Sequence, residues 1–173
     1  MQQLNGKWKL DKSSCRNLRE LLVKMGRNQY QCSCVESADE EFELSVTKDK
    51  EVIVLNKKVR IWINETLMQW YAPVLAVFSN NDPRSVKYDN TFRADRTKRD
   101  HPDDEKRFGT CQTACFADDN RFVIKWFMQV NGKPAIMTSD HYTENGNLVV
   151  KITFDVNGEK VESIKKYVRD TSK

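Results

Sequence analysis

The C-terminal half of the chain alternates between strand-like runs and tight-turn signals. Between Phe108 and Asp170, the polar stretches ADDN, VNGK, TENGN and VNGE separate runs of alternating apolar and polar residues, and three of these stretches contain Asn-Gly. An Asn-Gly pair supplies the positive φ angles that two-residue hairpin turns require. The intervening runs have about eight to ten residues, somewhat longer than an average strand. This pattern predicts an antiparallel meander, in which each strand pairs with the next.

The same period of two occurs earlier in the chain. Apolar side chains alternate with polar ones in three runs: Phe42, Leu44 and Val46; Val52 and Val54; and Val59, Ile61 and Ile63. Pro73 interrupts a later apolar run, LMQWYAPVLAVF, and indicates an edge, a bulge or a break there. About ten sequentially connected strands are best accommodated by an all-β, antiparallel up-and-down barrel, which leaves no long open edge and encloses a cavity.

Helical signals are confined to the region that follows a short strand at residues 6–10. In the segment SSCRNLRELLVKMG, apolar residues recur at helical spacing: Leu18, Leu21, Leu22 and Met25. Ser13 or Ser14 could cap this helix, and Gly26 could end it. The next segment, RNQYQCSCV, is compatible with a second short helix. We therefore expect a barrel with a short N-terminal helical segment.

Length and composition indicate one globular domain, residues 1–173, with a charged insertion at about residues 79–107. The net charge of +4 comes from interspersed acids and bases, which argues against a nucleic-acid partner. No signal peptide is visible in MQQLNGKWKLDKSS, so we expect a cytoplasmic protein. A mature secreted chain with an added Met would look the same.

The residue types that most enzymes and metal sites need are scarce. The chain has five cysteines, and their CSC and CQTAC spacings differ from the C-x2-C pattern typical of structural zinc, so we expect free thiols and no metal. The two histidines are His101 and His141. Neither a Gly-rich phosphate loop nor a nucleophile elbow is present. We expect a protein that is not an enzyme and that needs no cofactor.

The segment KVESIKKYVRD reads as a strand with two mixed faces. One face holds Val161, Ser163, Lys165, Tyr167 and Arg169, and the other holds Glu162, Ile164, Lys166, Val168 and Asp170. An inward Lys165 would need an anion, a water network or a shifted pKa, because burying an unpaired ammonium is costly. The alternative turns Ile164 and Val168 inward. The sequence alone leaves both open.

The two ends of the chain resemble the intracellular lipid-binding proteins, the fatty-acid-binding and cellular retinoid-binding family. The opening LNGKWKLDKSSCRNLRELLVKMG has the family's G-x-W-x-L strand, Ser-containing cap and amphipathic helix ending at Gly, with matches at Gly6, Trp8, Leu10, Ser13, Leu22 and Gly26. Residues 130–170 resemble the family's last three strands, including a closing polar-x-Tyr pair. The middle matches only as generic β-structure, and the chain is longer than is usual for the family.

The resemblance implies a ten-stranded barrel with a helical lid, here residues 13–36, that carries a long-chain fatty acid or a similar hydrophobic anion. It implies that Lys165 and Tyr167 hold the ligand carboxylate, although the family usually has Arg where this chain has Lys165. A lysine lacks the planar fork of arginine, so recognition would be weaker or different. Ser139 and His141 stand where a second basic residue normally assists. A monomer with transient membrane contact through the lid is expected.

The remaining candidates are less specific. Trp126 and Met128 share a strand face with Phe122 and Ile124, so they are either core residues or part of a cavity lining. A secreted lipocalin is an alternative to the intracellular carrier, and only there would the NET sequon at Asn64 have a meaning. Paired disulfides would favour the lipocalin. A third possibility is an interaction module that uses residues 79–107 and has lost lipid binding.

Overall fold

The computed structural model describes residues 2–47, 52–60, 85–100, 111–118, 120–130 and 132–171, with residues 2 and 85–89 described by their backbone alone. Its strands are β1 Gly6–Arg16, β2 Asp39–Val46, β3 Val52–Arg60, β4 Ser85–Arg93, β5 Arg99–Asp100, β6 Gln112–Ala117, β7 Arg121–Val130, β8 Lys133–Glu144, β9 Asn147–Val156 and β10 Glu159–Arg169. A 3-10 turn at Gln2–Leu4 precedes β1, and two helices, α1 Leu18–Lys24 and α2 Gln29–Ser37, connect β1 to β2.

All ten strands form one antiparallel sheet in the order β4-β3-β2-β1-β10-β9-β8-β7-β6-β5. Every neighbouring pair is consecutive in the chain except β1 and β10, where Trp8 lies opposite Arg169 and Leu10 lies opposite Tyr167. A bridge joins Asp95, two residues after the end of β4, to Phe116 of β6. The prediction of a ten-stranded antiparallel up-and-down barrel with a short helical lid is confirmed.

The hairpin turns have the backbone geometry that the Asn-Gly pairs predict. Asn145 and Gly146 connect β8 to β9 with φ angles of 52° and 77°, and Asn157 and Gly158 connect β9 to β10 with φ angles of 53° and 86°. Positive φ at both central positions is the signature of a type I′ turn, whose twist matches that of the flanking strands. These two turns set the register of β8, β9 and β10, which carry most of the predicted site residues.

The predicted helix cap at Ser13 or Ser14 is wrong, because β1 continues through both residues to Arg16. The Ser14 hydroxyl accepts a hydrogen bond from the Lys166 N–H at 3.2 Å, which keeps the segment tied to β10. Helix α1 instead follows Asn17, which adopts a left-handed conformation with φ of 53°. Helix α2 begins with a capping box, in which the Asn28 side chain accepts from the Gln31 N–H at 2.9 Å.

The earlier strands differ from the sequence reading in one detail. β3 runs without interruption from Val52 to Arg60, and its fully buried side chain is Ile53 rather than Val52 or Val54. Ile61, Ile63 and Pro73 lie outside the described residues. Part of the predicted charged insertion is regular structure, since β4 lies within it and pairs with β3 over its full length, from Ser85 opposite Arg60 to Arg93 opposite Val52.

The barrel holds two groups of buried apolar side chains. The first surrounds Trp8, Phe42 and Tyr167 at the end of the barrel that carries the 3-10 turn. The second lies under the helices, where Leu21 and Leu22 of α1 and Cys32 of α2 belong to one cluster with residues of β7, β8 and β9. All five cysteines are free thiols. Among the described residues, no helix has the length and apolar character needed to span a membrane.

Candidate ligand-binding site

Strand β10 turns its Lys165 face inward. Ser163, Lys165 and Tyr167 are 0%, 5% and 2% exposed, whereas Val168 on the opposite face is 43% exposed. The pairing explains this orientation, because Tyr167 lies opposite Leu10 of β1 and Leu148 of β9, and Leu148 is itself fully buried. The apolar neighbours on both sides therefore determine that the face of Tyr167 points inward. Lys165 is on the same face, so its side chain also lies in the interior.

A buried carboxylate receives this lysine. Lys165 Nζ donates a hydrogen bond to Glu40 Oε1 at 2.5 Å, and the Tyr167 hydroxyl donates to Glu40 Oε2 at 2.7 Å. Lys57 Nζ lies 2.9 Å from the same Oε2. Glu40 is 2% exposed. We call Glu40, Lys57, Lys165 and Tyr167 the buried charge cluster; in it, two hydrogen-bond donors and a second ammonium group surround one carboxylate.

The electrostatics of the cluster keep Glu40 ionised. Burial alone would raise the pKa of Glu40, but the charges of Lys165 and Lys57 and the hydrogen bonds from Lys165 and Tyr167 outweigh burial and hold the pKa well below its ordinary value. Burial also raises the pKa of Tyr167 well above its ordinary value, and the nearby Glu40 carboxylate raises it further. At neutral pH, Tyr167 is therefore a protonated donor to a carboxylate.

Burial has the opposite consequence for the lysine. It lowers the pKa of Lys165, and attraction to Glu40 offsets only part of that effect. A hydrogen-bonded contact with an ionised carboxylate nevertheless favours the ammonium form at neutral pH. Lys57 is more accessible, with 28% of its side chain exposed. The fully buried part of the cluster, Glu40 with Lys165, is thus a neutral ion pair.

Sequence reasoning missed Glu40 and Lys57, although the alternation contained both. The inward residues of β2 are Phe42, Leu44 and Val46, and one more step back along the same face reaches Glu40. In β3 the face of Ile53 and Leu55 continues to Lys57. Extending the alternation of Phe42, Leu44 and Val46 one step back would have identified Glu40, and extending that of Val59 one step back would have identified Lys57. The two are diagonal neighbours, since Glu40 lies opposite Val59 and Lys57 opposite Phe42.

Ser139 and His141 form a second polar position in the interior. The Ser139 hydroxyl lies 3.4 Å from His141 Nε2, and the imidazole stacks on Phe122 with ring centroids 4.1 Å apart. Burial lowers the pKa of His141 to about 3, so the ring is neutral at physiological pH. Its Nδ1 has no hydrogen-bond partner of good geometry among the described residues.

The register relates this position to the charge cluster. His141 of β8 lies opposite Val150 of β9, and Val150 lies opposite Lys165 of β10. The three residues form one row across the sheet, so His141 and Lys165 stand about 10 Å apart, two strand spacings. The predicted residues Ser139, His141, Lys165 and Tyr167 therefore lie on one interior surface. The charge of Lys57, in the cluster, also contributes to the lowered pKa of His141.

Trp126 and Met128 lie nearer the helices. Met128 is 5% exposed and belongs to the apolar cluster under the lid, opposite Ala135 of β8. Trp126 is half-buried, packs against both apolar clusters and meets Phe92 edge to face with centroids 6.4 Å apart. Both side chains pack with the apolar residues of the interior.

The lid is attached by contacts at its surface. An ion pair between Arg19 and Glu36 joins α1 to α2, and Lys24 pairs with Glu159 at the start of β10. Lys12 of β1 bonds both the Ser37 carbonyl and Asp39, at the point where α2 passes into β2. Exposed ion pairs of this kind contribute little to stability. The apolar cluster under α1 therefore provides most of the attachment.

Comparison with known proteins identifies the fold. No protein-family model matches the sequence, and no curated protein sequence matches it. Among solved structures, the fluorescent protein UnaG is similar, with a TM-score of 0.63, 16% identity and 98% of each chain covered. Apo lipid binding protein 8 of Caenorhabditis elegans gives 0.63 and 14%, covering 98% of this chain and 97% of that one.

A Schistosoma mansoni fatty acid binding protein in complex with arachidonic acid is also similar, with a TM-score of 0.59 and 12% identity, covering 99% of this chain and 98% of that one. At such identities the similarity establishes the fold alone. The chain has the β-clam fold of the fatty-acid-binding and retinoid-binding proteins.

Proposed function

We propose that this protein binds a small hydrophobic ligand reversibly inside its barrel and carries it, without catalysing a reaction. One observation supports the proposal most directly: the barrel interior holds a cluster of buried apolar side chains under the lid and, in addition, buried hydrogen-bonding groups. Such an interior suits a molecule with a hydrophobic body and one polar end. A long-chain aliphatic ligand fits this description, and its polar end would lie near Lys165 and Tyr167.

The helices suit a lid. Both are short, their mutual ion pair is exposed, and the buried residues of α1 are three leucines, Leu18, Leu21 and Leu22. Segments with few buried contacts open at low free-energy cost, and a ligand has to pass such a segment to reach the interior. A monomer that releases its ligand in transient contact with a membrane remains our proposal, as does a cytoplasmic location.

Another concave surface is a poorer candidate. A depression of about 290 Å³ lies against β1, β2 and β3. Charged side chains dominate its rim: Lys7, Glu41, Glu43, Lys57, Lys58 and Asp170. A hydrophobic ligand would have to displace the water that solvates these charges, so the interior is the better site.

The alternatives can be separated by experiment. The free state of all five thiols gives no support to a disulfide-bonded lipocalin. An interaction module that uses residues 79–107 would lose its partner on deletion of that segment. Such a deletion has to spare β4, because that strand pairs with β3 and its loss would damage the barrel itself.

The first test is to purify the protein, extract it with organic solvent and identify the extract by mass spectrometry. Displacement of a fluorescent fatty-acid probe then measures binding directly. Ser139→Phe should fill the interior and abolish probe binding, whereas Thr138→Phe, on the opposite face of β8, should leave it unchanged. Thermal unfolding checks that both variants fold. An empty extract together with no probe binding would refute the proposal.

A further inference from the structure

The interior position suited to a ligand carboxylate already holds one that belongs to the protein. We infer that Glu40 is a built-in substitute for an anionic head group, and that this barrel therefore selects hydrophobic ligands with uncharged head groups, such as long-chain alcohols or esters, over the corresponding acids. The inference rests on the proposed function and specifies its ligand class. It changes the expectation that Lys165 and Tyr167 anchor a fatty acid.

The first argument is the use of hydrogen-bond donors. Tyr167 has a single O–H donor, and it is used on Glu40 Oε2 at 2.7 Å. Lys165 Nζ also donates a hydrogen bond to this carboxylate, at 2.5 Å from Glu40 Oε1. A fatty-acid carboxylate at this position would compete with Glu40 for both donors, and the losing carboxylate would remain buried without them.

The second argument is charge. The fully buried pair of Glu40 and Lys165 is neutral, and the additional positive charge, on Lys57, is partly screened by solvent because 28% of that side chain is exposed. An entering acid would place a second carboxylate beside an ionised one. Two carboxylates that share a site repel, so one of them has to take up a proton or leave.

Both protonation and displacement are unfavourable for Glu40. The two lysines and the Tyr167 hydroxyl stabilise its ionised form, which opposes protonation. Leaving would take the Glu40 carboxylate, now in a side chain that is 2% exposed, away from the Tyr167 hydroxyl and from both lysine ammonium groups at once. A neutral head group avoids both costs, since it brings no second negative charge to the cluster.

The interior also offers donors to a neutral oxygen. Each lysine ammonium has three N–H donors; Glu40 accepts one hydrogen bond from Lys165 and forms an ion pair with Lys57. The Ser139 hydroxyl and the neutral His141 ring lie about two strand spacings away on the same surface. A hydroxyl or an ester carbonyl can accept from such donors while Glu40 keeps its place.

The test compares oleic acid, oleyl alcohol and methyl oleate in displacement of a fluorescent probe from the full chain at neutral pH. We expect the wild-type protein to bind the alcohol or the ester at least about tenfold more tightly than the acid. Glu40→Gln keeps the size of the side chain and removes its charge. Glu40→Gln should reverse the order of affinities, so that the acid binds more tightly than the alcohol or the ester, and should strengthen acid binding by at least about tenfold.

The matched control is Glu41→Gln, which removes the same charge from the adjacent, exposed residue of β2. It should bind the three ligands as the wild type does. The inference is overturned if the wild type binds the acid as tightly as the alcohol and Glu40→Gln gives no gain. If the wild type binds none of the three ligands, the proposed function itself fails.

The role of Glu40 can still be tested if Glu40→Gln has a folding defect. If the variant is unfolded alone, oleate should restore its native circular dichroism spectrum by compensating the two lysines, whereas oleyl alcohol should not. Restoration by both ligands, or by neither, would contradict the role assigned to Glu40. The comparison of the three ligands on the wild-type protein stands independently of any variant.

Discussion

Replacement of Lys165 by Met should destabilise the barrel strongly, because it leaves Glu40 as a buried carboxylate with fewer compensating charges. The Lys165–Glu40 contact is 2.5 Å. At an effective dielectric constant of about 20, two unit charges at that distance attract by roughly 6–7 kcal/mol, before the cost of removing both from water is subtracted. Breaking a buried pair by removing one partner typically costs about 3–5 kcal/mol.

We expect a loss at the lower end of that range, about 3 kcal/mol, since Glu40 keeps its ion pair with Lys57 at 2.9 Å and its hydrogen bond from Tyr167 at 2.7 Å. For a chain of this length, such a loss lowers Tm by about 6–12 °C. Urea unfolding at pH 7, followed by circular dichroism, measures it. The double variant Glu40→Gln with Lys165→Met should lose less than the sum of the single variants, with a coupling energy of about 2 kcal/mol.

Lys166→Met provides the control, because Lys166 is the next residue of β10 and its ion pair with Glu144 is exposed. Its loss should stay below about 1 kcal/mol. The reasoning is refuted if Lys165→Met costs no more than Lys166→Met, or if the two changes in the double variant are additive. Either result would mean that the buried pair contributes no net stability.

Three further predictions concern other positions. The pKa of His141 is lowered to about 3 in the fold, so below about pH 6.5 the unfolded chain binds a proton that the folded chain excludes. The free energy of unfolding should therefore decrease as the pH falls below about 6.5. His141→Gln should reduce this pH dependence between pH 6.5 and 4.5, as measured by urea unfolding. Asn28→Ala removes the capping box of α2 and should lower the stability of that helix by about 1 kcal/mol. Amide hydrogen exchange in α2 should then become about fivefold faster, while exchange in β9 should not change. Gly146→Ala places a Cβ at φ of 77° and should lower Tm by a few degrees, whereas a shift of zero would contradict the strain argument.

Local signals predicted the parts of the fold that are decided locally. The turns at Asn145 and Asn157 depend on the residues within them, and they formed as expected. The cap at Ser13 or Ser14 failed because pairing with β10 competes with the helix, and a hydrogen bond to Lys166 over a long sequence separation wins. Tertiary pairing routinely overrides capping preference of this size.

The site divides in the same way. Lys165 and Tyr167 were placed on one face by alternation, but only the pairing with β1 and β9 decides that this face points inward. Glu40 was overlooked because a charged residue at the end of an apolar alternation reads as solvent-exposed. Its burial depends on Lys165, a residue far away in the sequence, and single-strand patterns contain no such information.

The pairing of β1 with β10 has a consequence for how the chain folds. It is the one ladder of the described sheet that joins distant parts of the sequence, with Trp8 opposite Arg169. Local hairpins form early, whereas a closure of this length has to overcome a larger loss of chain entropy. Because Lys165 stands on β10 and Glu40 on β2, on either side of β1, the same step brings the two charges together and removes their water. The pairing of β1 with β10 should therefore be the slow phase of refolding, and the Glu40–Lys165 pair should form in that phase.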